Sequence, residues 1–600
     1  MSGIAGFYQT KQHNMESPEW LEKLKTMNKS LSPQGTFKGE SFIYPNAGMT
    51  SQKASVSYPG LASIFLCGEL YNSDVLRSLL TLYPNIKETN NDAAIILNGY
   101  LAYGSAFFRN LNGIFAFAIY DERRKHLVLV RDALEAKPLF YQQTESHFVF
   151  ASAQKALFAF GIKPSVNRES FCEILGLGPA RTPGHGVFCD MREVLPGHII
   201  TIGPDYYHDK PFFTLQATEH VDTLEETKEK VAWLITDNIK RQMISPSPLG
   251  ILLSGGLDSS LVATLTQQEL TKKGIQLKTF SFDFVGSCEN FRPNAFQSSL
   301  DRPYVKTMVE ALGSDHTFLE CDSMTQADYL EKAVDARDLP CMADIESSLL
   351  YFAHQVKKDC PVALTGEGAD EIFGGYPWFH KEELLKKNLF PWSYDLNIRT
   401  ALFKEEFIAT LELNEYVQSS YEKTLAETPR FEGDTVTEAR RREISWLNIR
   451  WFMATLFNRL NRTGTAAGLL TRTPLADIRL LQYTYNIPWT YKNENGMTKS
   501  LLINTGKNIL PPEILYRKKS PYPKTYDTAY EKLLAARLMN RITDPTSPLR
   551  PIIDSKKVET YITGGFNYGT PWYGQLMAGP QMLAYLLQID YWMRKYHLNA

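Results

Sequence analysis

Cysteine, long apolar runs and excess charge of one sign are all scarce in this chain of 600 residues. The seven cysteines are dispersed and form no CxxC pair, which is typical of reduced, mostly buried thiols in the cytosol. No run of about 18 apolar residues occurs, which argues against a membrane span. The first residues lack a basic segment followed by an apolar stretch, so we expect no signal peptide and a cytoplasmic location.

The charge balance limits the partners that the chain is expected to bind. A formal net charge of −2 and an isoelectric point near 6.6 give no electrostatic reason to expect nucleic acid or a membrane surface. Hydrophobic residues make up 44% and charged residues 22%, the balance of a globular protein. A chain of this length exceeds one core, so two or three domains are expected.

The first part of the chain, to about residue 212, consists of short apolar runs separated by turns. Examples are residues 62–66, 114–119, 127–130 and 148–151, with Asn112-Gly113 and Asp121-Glu122 as breakers. This spacing predicts a β-rich, layered domain, which we place at residues 1–210. The polar, turn-rich stretch 203–211 is the expected linker to a second domain at 220–600.

The second domain alternates predicted strands and helices. A helical pattern at 222–243 precedes an apolar strand at 249–253, a glycine-containing loop and a new helix from Ser259. Further apolar strands are expected at 279–284 and 362–364. The alternation indicates a parallel, doubly wound α/β sheet, followed from about residue 378 by a mainly helical extension.

The sharpest motif, SGGLDSS at residues 254–260, stands between a buried strand and a helix. Gly255 and Gly256 let the backbone approach an anion, while Ser254, Ser259 and the first-turn N–H groups point toward it. It is not the Walker pattern and corresponds instead to the pyrophosphate loop of enzymes that split ATP into AMP and pyrophosphate. The alternative is a plain tight turn, which a seven-residue match in this setting disfavours.

A second cluster, TGEGADE at residues 365–371, also follows an apolar strand. Carboxylates on a glycine-rich turn beside a phosphate site repel each other unless a divalent cation lies among them. Asp258 and Asp370 are therefore the expected Mg²⁺ ligands, with Thr365 and Gly366 beside the nucleotide. A solvated acidic loop is the alternative for this segment taken alone.

These motifs resemble those of the asparagine synthetase family, and the resemblance covers nearly the whole chain. The segments that carry it are GIAGF (3–7), FAFA (115–118), GPARTPG (178–184), SGGLDSS (254–260), TGEGADEIFGGY (365–376), YPWF (376–379) and RKKSPYPK (517–524). The resemblance implies an N-terminal amidotransferase domain of the layered αββα type found in N-terminal-nucleophile hydrolases. It also implies a C-terminal ATP-pyrophosphatase domain that acts as the synthetase.

The resemblance also implies a reaction and assigns roles to residues. In the family a substrate carboxylate attacks the α-phosphate of ATP, and an amine then displaces AMP from the acyl-adenylate. Adenine would be held near Leu253, Ser281 and Phe282. Lys519 would stabilise the charge that develops in both steps, and Glu367 is the second expected catalytic residue. A surface lysine in a basic run is the structural alternative for Lys519.

The expected glutaminase site departs from the family at most of its positions. Ser2 stands where glutamine-hydrolysing members have the cysteine nucleophile, and Cys67 replaces the oxyanion-hole asparagine. Ser32-Pro33-Gln34-Gly35 and Met49-Thr50-Ser51 replace segments with arginines, including the clamp for the glutamine carboxylate. Asp92, the expected partner of the glutamine amine, is retained. We therefore expect a folded but inactive glutaminase domain.

The substrate side also differs from the family. Asn458 and Asn461 stand where two aspartates are expected, and Leu470 where a glutamate is expected, while Arg472 and Asp477 persist as expected substrate contacts. The changes indicate a substrate other than plain aspartate; neutral drift in a packing helix is the alternative.

The leading hypothesis is an AMP-forming ligase that uses ATP and Mg²⁺ to couple a small-molecule or peptide carboxylate to ammonia or another amine without hydrolysing glutamine. The alternatives are an ordinary asparagine synthetase with a substituted N-terminus, an intramolecular cyclase resembling β-lactam synthetases or lasso-peptide cyclases, and a non-catalytic scaffold. A homodimer is expected only from the family resemblance.

Overall fold

The computed structural model describes residues 3–10, 18–32, 35–36, 39–80, 91–245, 248–293, 297–393, 395–565 and 571–600. The chain divides into two compact units. The first contains residues 1–165 and 183–215, and the second contains residues 166–182 and 216–600. The short stretch 166–182, which the sequence places inside the first domain, thus belongs to the second unit.

The described residues of the first unit form two antiparallel six-stranded sheets and four α-helices. One sheet has the order β10-β8-β9-β1-β3-β2 and the other β12-β11-β7-β6-β5-β4. The strands are β1 Ile4–Gln9, β2 Glu40–Tyr44, β3 Ala47–Ser51, β4 Ala54–Tyr58, β5 Ala62–Leu70, β6 Gly113–Asp121, β7 His126–Arg131, β8 Phe140–Gln143, β9 His147–Ala151, β10 Met191–Glu193, β11 His198–Ile202 and β12 Tyr207–Pro211. The helices are α1 Pro18–Leu31, α2 Ser73–Leu80, α3 Asp92–Tyr103 and α4 Gln154–Phe160.

This unit has one apolar layer between its two sheets and another on the outer face of the second sheet. Ile4 and Tyr8 of β1 share one apolar cluster with Phe65 of β5 and Ala118 of β6, so the sheets pack face to face. A second cluster joins the other face of the second sheet to α3, for example through Ile95. The predicted αββα layering is confirmed, because alternate residues of each strand have an apolar layer to face.

The interpretation of residues 203–211 as a linker is wrong. Tyr207–Pro211 forms β12, which pairs antiparallel with β11 in the register Ile202↔Tyr207 to His198↔Pro211. Its five residues are all exposed because β12 is an edge strand, so their polar character gave no sign of pairing. The turn residues before Tyr206 instead close a hairpin.

The second unit is built on a parallel sheet of five strands, in the order β15-β14-β13-β16-β17. The strands are β13 Leu249–Leu252, β14 Lys278–Phe284, β15 Asp315–Cys321, β16 Val362–Leu364 and β17 Leu470–Arg472. The strand order reverses at β13, and ligands of such folds bind at this switch point, beyond the carboxyl ends of the strands. The predicted α/β class and the three predicted strands agree with the structure; β15 and β17 were not anticipated.

The helices of the second unit surround the sheet and form the expected helical extension. They are α5 Arg168–Phe171, α6 Leu224–Gln242, α7 Leu257–Thr271, α8 Ser287–Asn290, α9 Arg302–Leu312, α10 Ser323–Arg337, α11 Ala343–Asp359, α12 Ala369–Phe373, α13 Glu382–Leu385, α14 Leu396–Thr400, α15 Glu405–Leu411, α16 Leu413–Ala426, α17 Val436–Leu447, α18 Ala454–Ala467, α19 Ile478–Asn486, α20 Trp489–Lys492, α21 Ser500–Gly506, α22 Pro512–Leu515, α23 Thr528–Thr543, α24 Ser555–Thr563 and α25 Gly579–Tyr596. A π-helical turn, Asn448–Met453, joins α17 to α18. Within the described ranges, none of the helices combines the length and apolar character needed to span a membrane.

Candidate active site

The loop between β13 and α7 is held in a fixed shape by its own serines. The Ser254 N–H donates to Ser259 Oγ at 3.1 Å, and the two hydroxyls lie 3.0 Å apart. Gly255 has a φ of +67°, and a Cβ there would lie 2.7 Å from backbone atoms of Tyr304 and Val305. Both the conformation and the close approach require glycine at this position.

The second predicted loop packs directly onto the first. A Cβ on Gly366 would lie 2.6 Å from the Ser259 backbone nitrogen and 2.8 Å from the Asp258 carbonyl carbon. The loops after β13 and β16 therefore meet at the carboxyl edge of the sheet, as the two motifs predicted.

A cavity of about 230 Å³ opens at this edge of the sheet. Of the sequence-predicted residues, it is lined by Leu253, Ser254, Asp258, Ser259, Ser281, Phe282, Thr365, Gly366, Glu367, Asp370 and Lys519. Gly255 and Gly256 shape the loop without lining the cavity. The remaining wall is mainly apolar and includes Met342, Phe452, Leu456, Leu460 and Leu576.

Two lysines and two aspartates form a charged centre at the base of the cavity. The Lys499 ammonium lies 2.6 Å from Asp258 Oδ2 and 2.5 Å from Asp370 Oδ1. Lys519 donates to Asp370 Oδ2 and lies 4.3 Å from the ring centre of Tyr376. Burial alone would raise the pKa of Asp370, but the two lysines outweigh it and hold this pKa below its ordinary value.

The carboxylates of this centre fit a divalent cation. Asp258 Oδ1 is buried and has no hydrogen-bond partner among the described residues. A buried carboxylate oxygen beside a phosphate-binding loop supplies the hard donor that Mg²⁺ takes together with phosphate oxygens. Among the described residues, no group of three or more acidic, His or Cys side chains is placed to hold a metal, so the protein alone would supply only part of a coordination sphere.

Glu367 lies on another wall, paired with an arginine. Arg459 of α18 donates to Glu367 Oε1 at 2.6 Å, and its guanidinium is buried. Glu367 Oε2 is also buried but has no hydrogen-bond partner in the described part of the chain. One oxygen of this carboxylate is therefore held by Arg459, and the other has no hydrogen bond from the described residues.

Arg472 and Asp477, predicted as substrate contacts, do not line this cavity. Arg472 donates to the Ile244 carbonyl oxygen at 2.9 Å and to that of Gln242, at the end of α6. Asp477 caps α19 through the Arg479 N–H at 2.8 Å. Both side chains are hydrogen-bonded at helix ends; Arg459 and Leu460 of the same sequence region line the cavity.

The first unit places the residues of the expected glutaminase site as follows. Cys67 lies buried on β5 opposite Ala116, and Asp92 begins α3. Both Asp92 oxygens already accept hydrogen bonds, from the Leu70 N–H at 2.9 Å and the Ser73 hydroxyl at 2.7 Å. Ser2, Pro33 and Gln34 lie outside the described residues.

The position of the expected arginine clamp is filled by a buried threonine. Thr50 accepts hydrogen bonds from Asn28 Nδ2 at 2.8 Å and Ser41 Oγ at 2.9 Å, and donates to the Glu40 carbonyl at 3.0 Å. Its neighbours Met49 and Ser51 are fully buried and uncharged. No guanidinium stands on this part of β3.

Comparison with known proteins gives the family. A model described as asparagine synthase matches residues 230–594, and one described as a glutamine amidotransferase domain matches residues 1–213. The chain belongs to the asparagine synthetase family. It is 37% identical to the glutamine-hydrolyzing asparagine synthetase 3 of Bacillus subtilis, over 100% of this chain and 99% of that protein. Asparagine synthetase 1 of the same organism is 26% identical over 87% of each chain, and the amidase chyE of Penicillium rubens is 28% identical over 53% of this chain and 48% of that protein.

Membership of the asparagine synthetase family confirms the expectation of an ATP-dependent carbon–nitrogen ligase. Sequence reasoning missed one residue of the charged centre and assigned no role to a second residue nearby. Lys499 lies far along the chain from both motifs, at the left-handed residue before α21, and no pattern marked it. Arg517 was part of a quoted motif, and it holds the loop after β13 by donating to the Ser254 carbonyl at 3.0 Å while pairing with Asp301 at 2.5 Å.

Proposed function

We propose that this protein adenylates a carboxylate with ATP and transfers the acyl group to ammonia or another amine, without hydrolysing glutamine. The observation that carries the proposal is the charged centre of Asp258, Asp370, Lys499 and Lys519 beside the serine-rich loop. Such a centre is expensive to bury unless it serves a highly charged ligand.

In the first step a substrate carboxylate oxygen attacks the α-phosphorus of ATP, and the bond from this phosphorus to the bridging oxygen breaks as pyrophosphate leaves. The Ser254 and Ser259 hydroxyls and the N–H groups at the start of α7 bind the departing phosphates. Lys519, which stands over the Tyr376 ring, donates to the oxygens that gain charge.

Asp258 and Asp370 are the residues that would hold Mg²⁺, which when bound neutralises phosphate charge. Lys499 bridges the same two carboxylates in the chain itself. It keeps them close together in the absence of nucleotide.

In the second step the amine attacks the acyl carbon, the bond from this carbon to the AMP oxygen breaks, and the amine loses a proton. Glu367 Oε2 is the proposed acceptor of that proton, because it is buried at the cavity and free of hydrogen bonds within the described residues. Arg459 holds Glu367 in place through the other oxygen, at 2.6 Å.

The wall beside Glu367 favours a substrate with an apolar body. Phe452, Leu456 and Leu460 follow one face from the π-helical turn into α18, and Leu576 lines the cavity with them. Arg459, the basic residue beside these apolar side chains on α18, is already paired with Glu367. The second carboxylate of aspartate would lose water against the apolar side chains, which is costly.

The absence of glutamine hydrolysis is supported by the first unit. Cys67 stands at the oxyanion-donor position, and a thiol is a weak donor. Thr50 occupies the clamp position without a charge, and its hydrogen bonds are directed to the chain. Loss of one oxyanion donor alone costs about 10²–10³ in rate.

The test is ATP–pyrophosphate exchange by the full-length protein with Mg²⁺, comparing aspartate with monocarboxylic acids of increasing apolar size, followed by mass spectrometry with ammonium added. Exchange that rises with apolar size, and an amide product, are expected. Lys519→Met should lower the rate by about 10²–10³-fold, whereas the exposed neighbour Lys518→Met should not. Exchange with aspartate alone would overturn the proposed substrate, and no exchange with any acid would overturn the reaction.

A second candidate, glutamine-dependent asparagine synthesis, is favoured by the full-length similarity to the B. subtilis protein that bears this name. Release of glutamate from glutamine separates the two. Stoichiometric glutamate with asparagine as product would establish the second candidate. Ammonium-dependent turnover without glutamate release would exclude it.

A further inference from the structure

The second unit contains another cavity, also of about 230 Å³, behind α12 and away from the ATP loop. It is enclosed by the loop before α17, one face of α17 and the short helix α20. Its polar lining includes Glu219, His220, Asp434, Glu438, Arg441, Arg442 and Lys492. Nothing in the proposed reaction uses these residues.

Lys492 is the unusual member of this set. The residue is only 8% exposed, yet its ammonium has no hydrogen bond or ion pair within the described part of the chain. Burial lowers the pKa of Lys492 to about 8, with Glu438 opposing the shift and Arg442 adding to it. An ammonium on a side chain this buried has lost much of its hydration, and an anion bound in the cavity would compensate for that loss.

The neighbouring charges are already matched. Arg442 binds Asp434 through two hydrogen bonds, at 2.6 and 3.0 Å. Arg441 Nη1 lies 3.1 Å from Glu438 Oε1, and the backbone N–H of Trp489 donates to Glu438 Oε2 at 3.3 Å.

The two remaining polar groups do not neutralise the ammonium. Glu219 is exposed to solvent at the edge of the cavity, and burial lowers the pKa of His220, which favours its neutral form. The interior of the cavity therefore keeps one unmatched positive charge, that of Lys492.

Part of the remaining wall is apolar. Ile372, Phe431 and Ile487 line it together with the aromatic ring of Trp489, and the uncharged polar side chains that line the cavity include those of Thr218, Thr435, Ser445 and Asn486. One positive charge beside such an apolar surface matches a small monocarboxylate with an apolar body better than it matches inorganic phosphate, which carries more charge and no apolar surface.

We propose that this second cavity is a binding site for a small organic monocarboxylate, whose carboxylate pairs with Lys492 and whose apolar body contacts Phe431 and Ile487. The site would be distinct from the ATP cavity, since the two share no lining residue.

The test is isothermal titration calorimetry of the full-length protein with sodium benzoate, sodium acetate and inorganic phosphate, without ATP. Saturable binding of benzoate is expected, with acetate weaker because it lacks an apolar body. Lys492→Met should weaken benzoate binding by about tenfold or more, the loss expected for a hydrogen bond to a charged group. Lys272→Met, an exposed lysine of the same unit, is the matched control and should bind benzoate normally.

Thermal unfolding of the same variants separates lost binding from lost folding. Lys492→Met should unfold at the same temperature as the wild type or higher, because it removes a charge that has lost much of its hydration. Equal benzoate affinity in the wild type and Lys492→Met, no saturable benzoate binding, or binding of phosphate alone would each overturn the proposal.

Discussion

Lys499 offsets the electrostatic repulsion between the two aspartates of the proposed ATP site. Its ammonium lies within 2.6 Å of both carboxylates, in a place where a metal ion would otherwise have to offset their repulsion. The protein therefore keeps Asp258 and Asp370 together by its own charge. Before nucleotide binds, a cation from solution is therefore not required to offset the repulsion between them.

Lys499→Met tests this directly. Breaking a buried pair by removing one partner costs about 3–5 kcal/mol, so the free energy of unfolding in EDTA should fall by that order. Added Mg²⁺ should restore part of the loss, and should raise the melting temperature of Lys499→Met more than that of the wild type. Lys272→Met is the control. Equal Mg²⁺ responses in all three proteins would show that these aspartates are not the metal ligands.

Asp344 of α11 provides a prediction about pH. Burial raises its pKa to about 6, although Gln581 Nε2 donates to it at 3.0 Å and Lys524 opposes the shift. The folded state therefore holds this proton where the unfolded chain has released it, so the proton stabilises the fold at low pH and this contribution disappears as pH rises through 6.

Asp344→Asn should accordingly leave stability near its wild-type value at pH 4 and increase it at pH 7, by up to about 3 kcal/mol. Urea unfolding at the two pH values measures the difference. Asp359→Asn, an exposed aspartate on the same helix, should change stability equally at both. A parallel shift of Asp344→Asn at both pH values would mean that the carboxyl is not protonated in the fold.

At the scale of elements, strands could be predicted from the sequence where their own residues form an apolar run. The apolar runs at 62–66, 114–119 and 148–151 became β5, β6 and β9, and the strand at 362–364 was placed to the residue. Strand β12 was mistaken for a linker because an exposed edge strand carries no apolar alternation.

The site was predictable where residues follow a strand directly, as in the loops after β13 and β16. Lys499 was not, because it reaches the site only through tertiary packing of α20 and α21. Arg472 and Asp477 were placed near the substrate by resemblance alone, and their hydrogen bonds to helix ends could not be read from the chain.

The end of α12, the helix that carries Asp370, offers a test of local packing density. Gly374 ends this helix at a φ of +71°, and a Cβ there would lie 2.6 Å from the Trp489 ring. Gly274 has a similar φ of +67° but open space around it. Gly274→Ala thus measures the backbone strain alone, about 1–2 kcal/mol.

Gly374→Ala should cost about 1–3 kcal/mol more than Gly274→Ala, from overpacking against Trp489. It should also lower the rate of ATP–pyrophosphate exchange, because Gly374 follows Asp370 by four residues and the Gly375 N–H donates to the Asp370 carbonyl at 2.8 Å. The free energy of unfolding and the exchange rate measure these effects. Equal losses in the two variants would mean that the Trp489 contact relaxes without reaching Asp370.

At the scale of the whole molecule, each of the two units has buried apolar residues of its own. Ile95 belongs to a cluster made within the first unit, and Leu261 is fully buried on α7 of the second. Units with their own cores can unfold as separate cooperative transitions. A ligand that binds only the folded form of one unit then raises only the transition of that unit.

We therefore expect ligands of the two units to be distinguishable by calorimetry. Ile95→Ala and Leu261→Ala, each costing about 2–5 kcal/mol, should lower different transitions in scanning calorimetry and so assign them. ATP with Mg²⁺ at about 100 times its Kd should stabilise the unit of Leu261 by about 2.7 kcal/mol. Glutamine should shift neither transition, since Thr50 offers its carboxylate no charge and Asp92 is already bonded to the chain. A glutamine-dependent rise in the transition assigned by Ile95→Ala would contradict the proposal that the first unit does not use glutamine, while leaving the proposed ATP site and the ligase assignment intact.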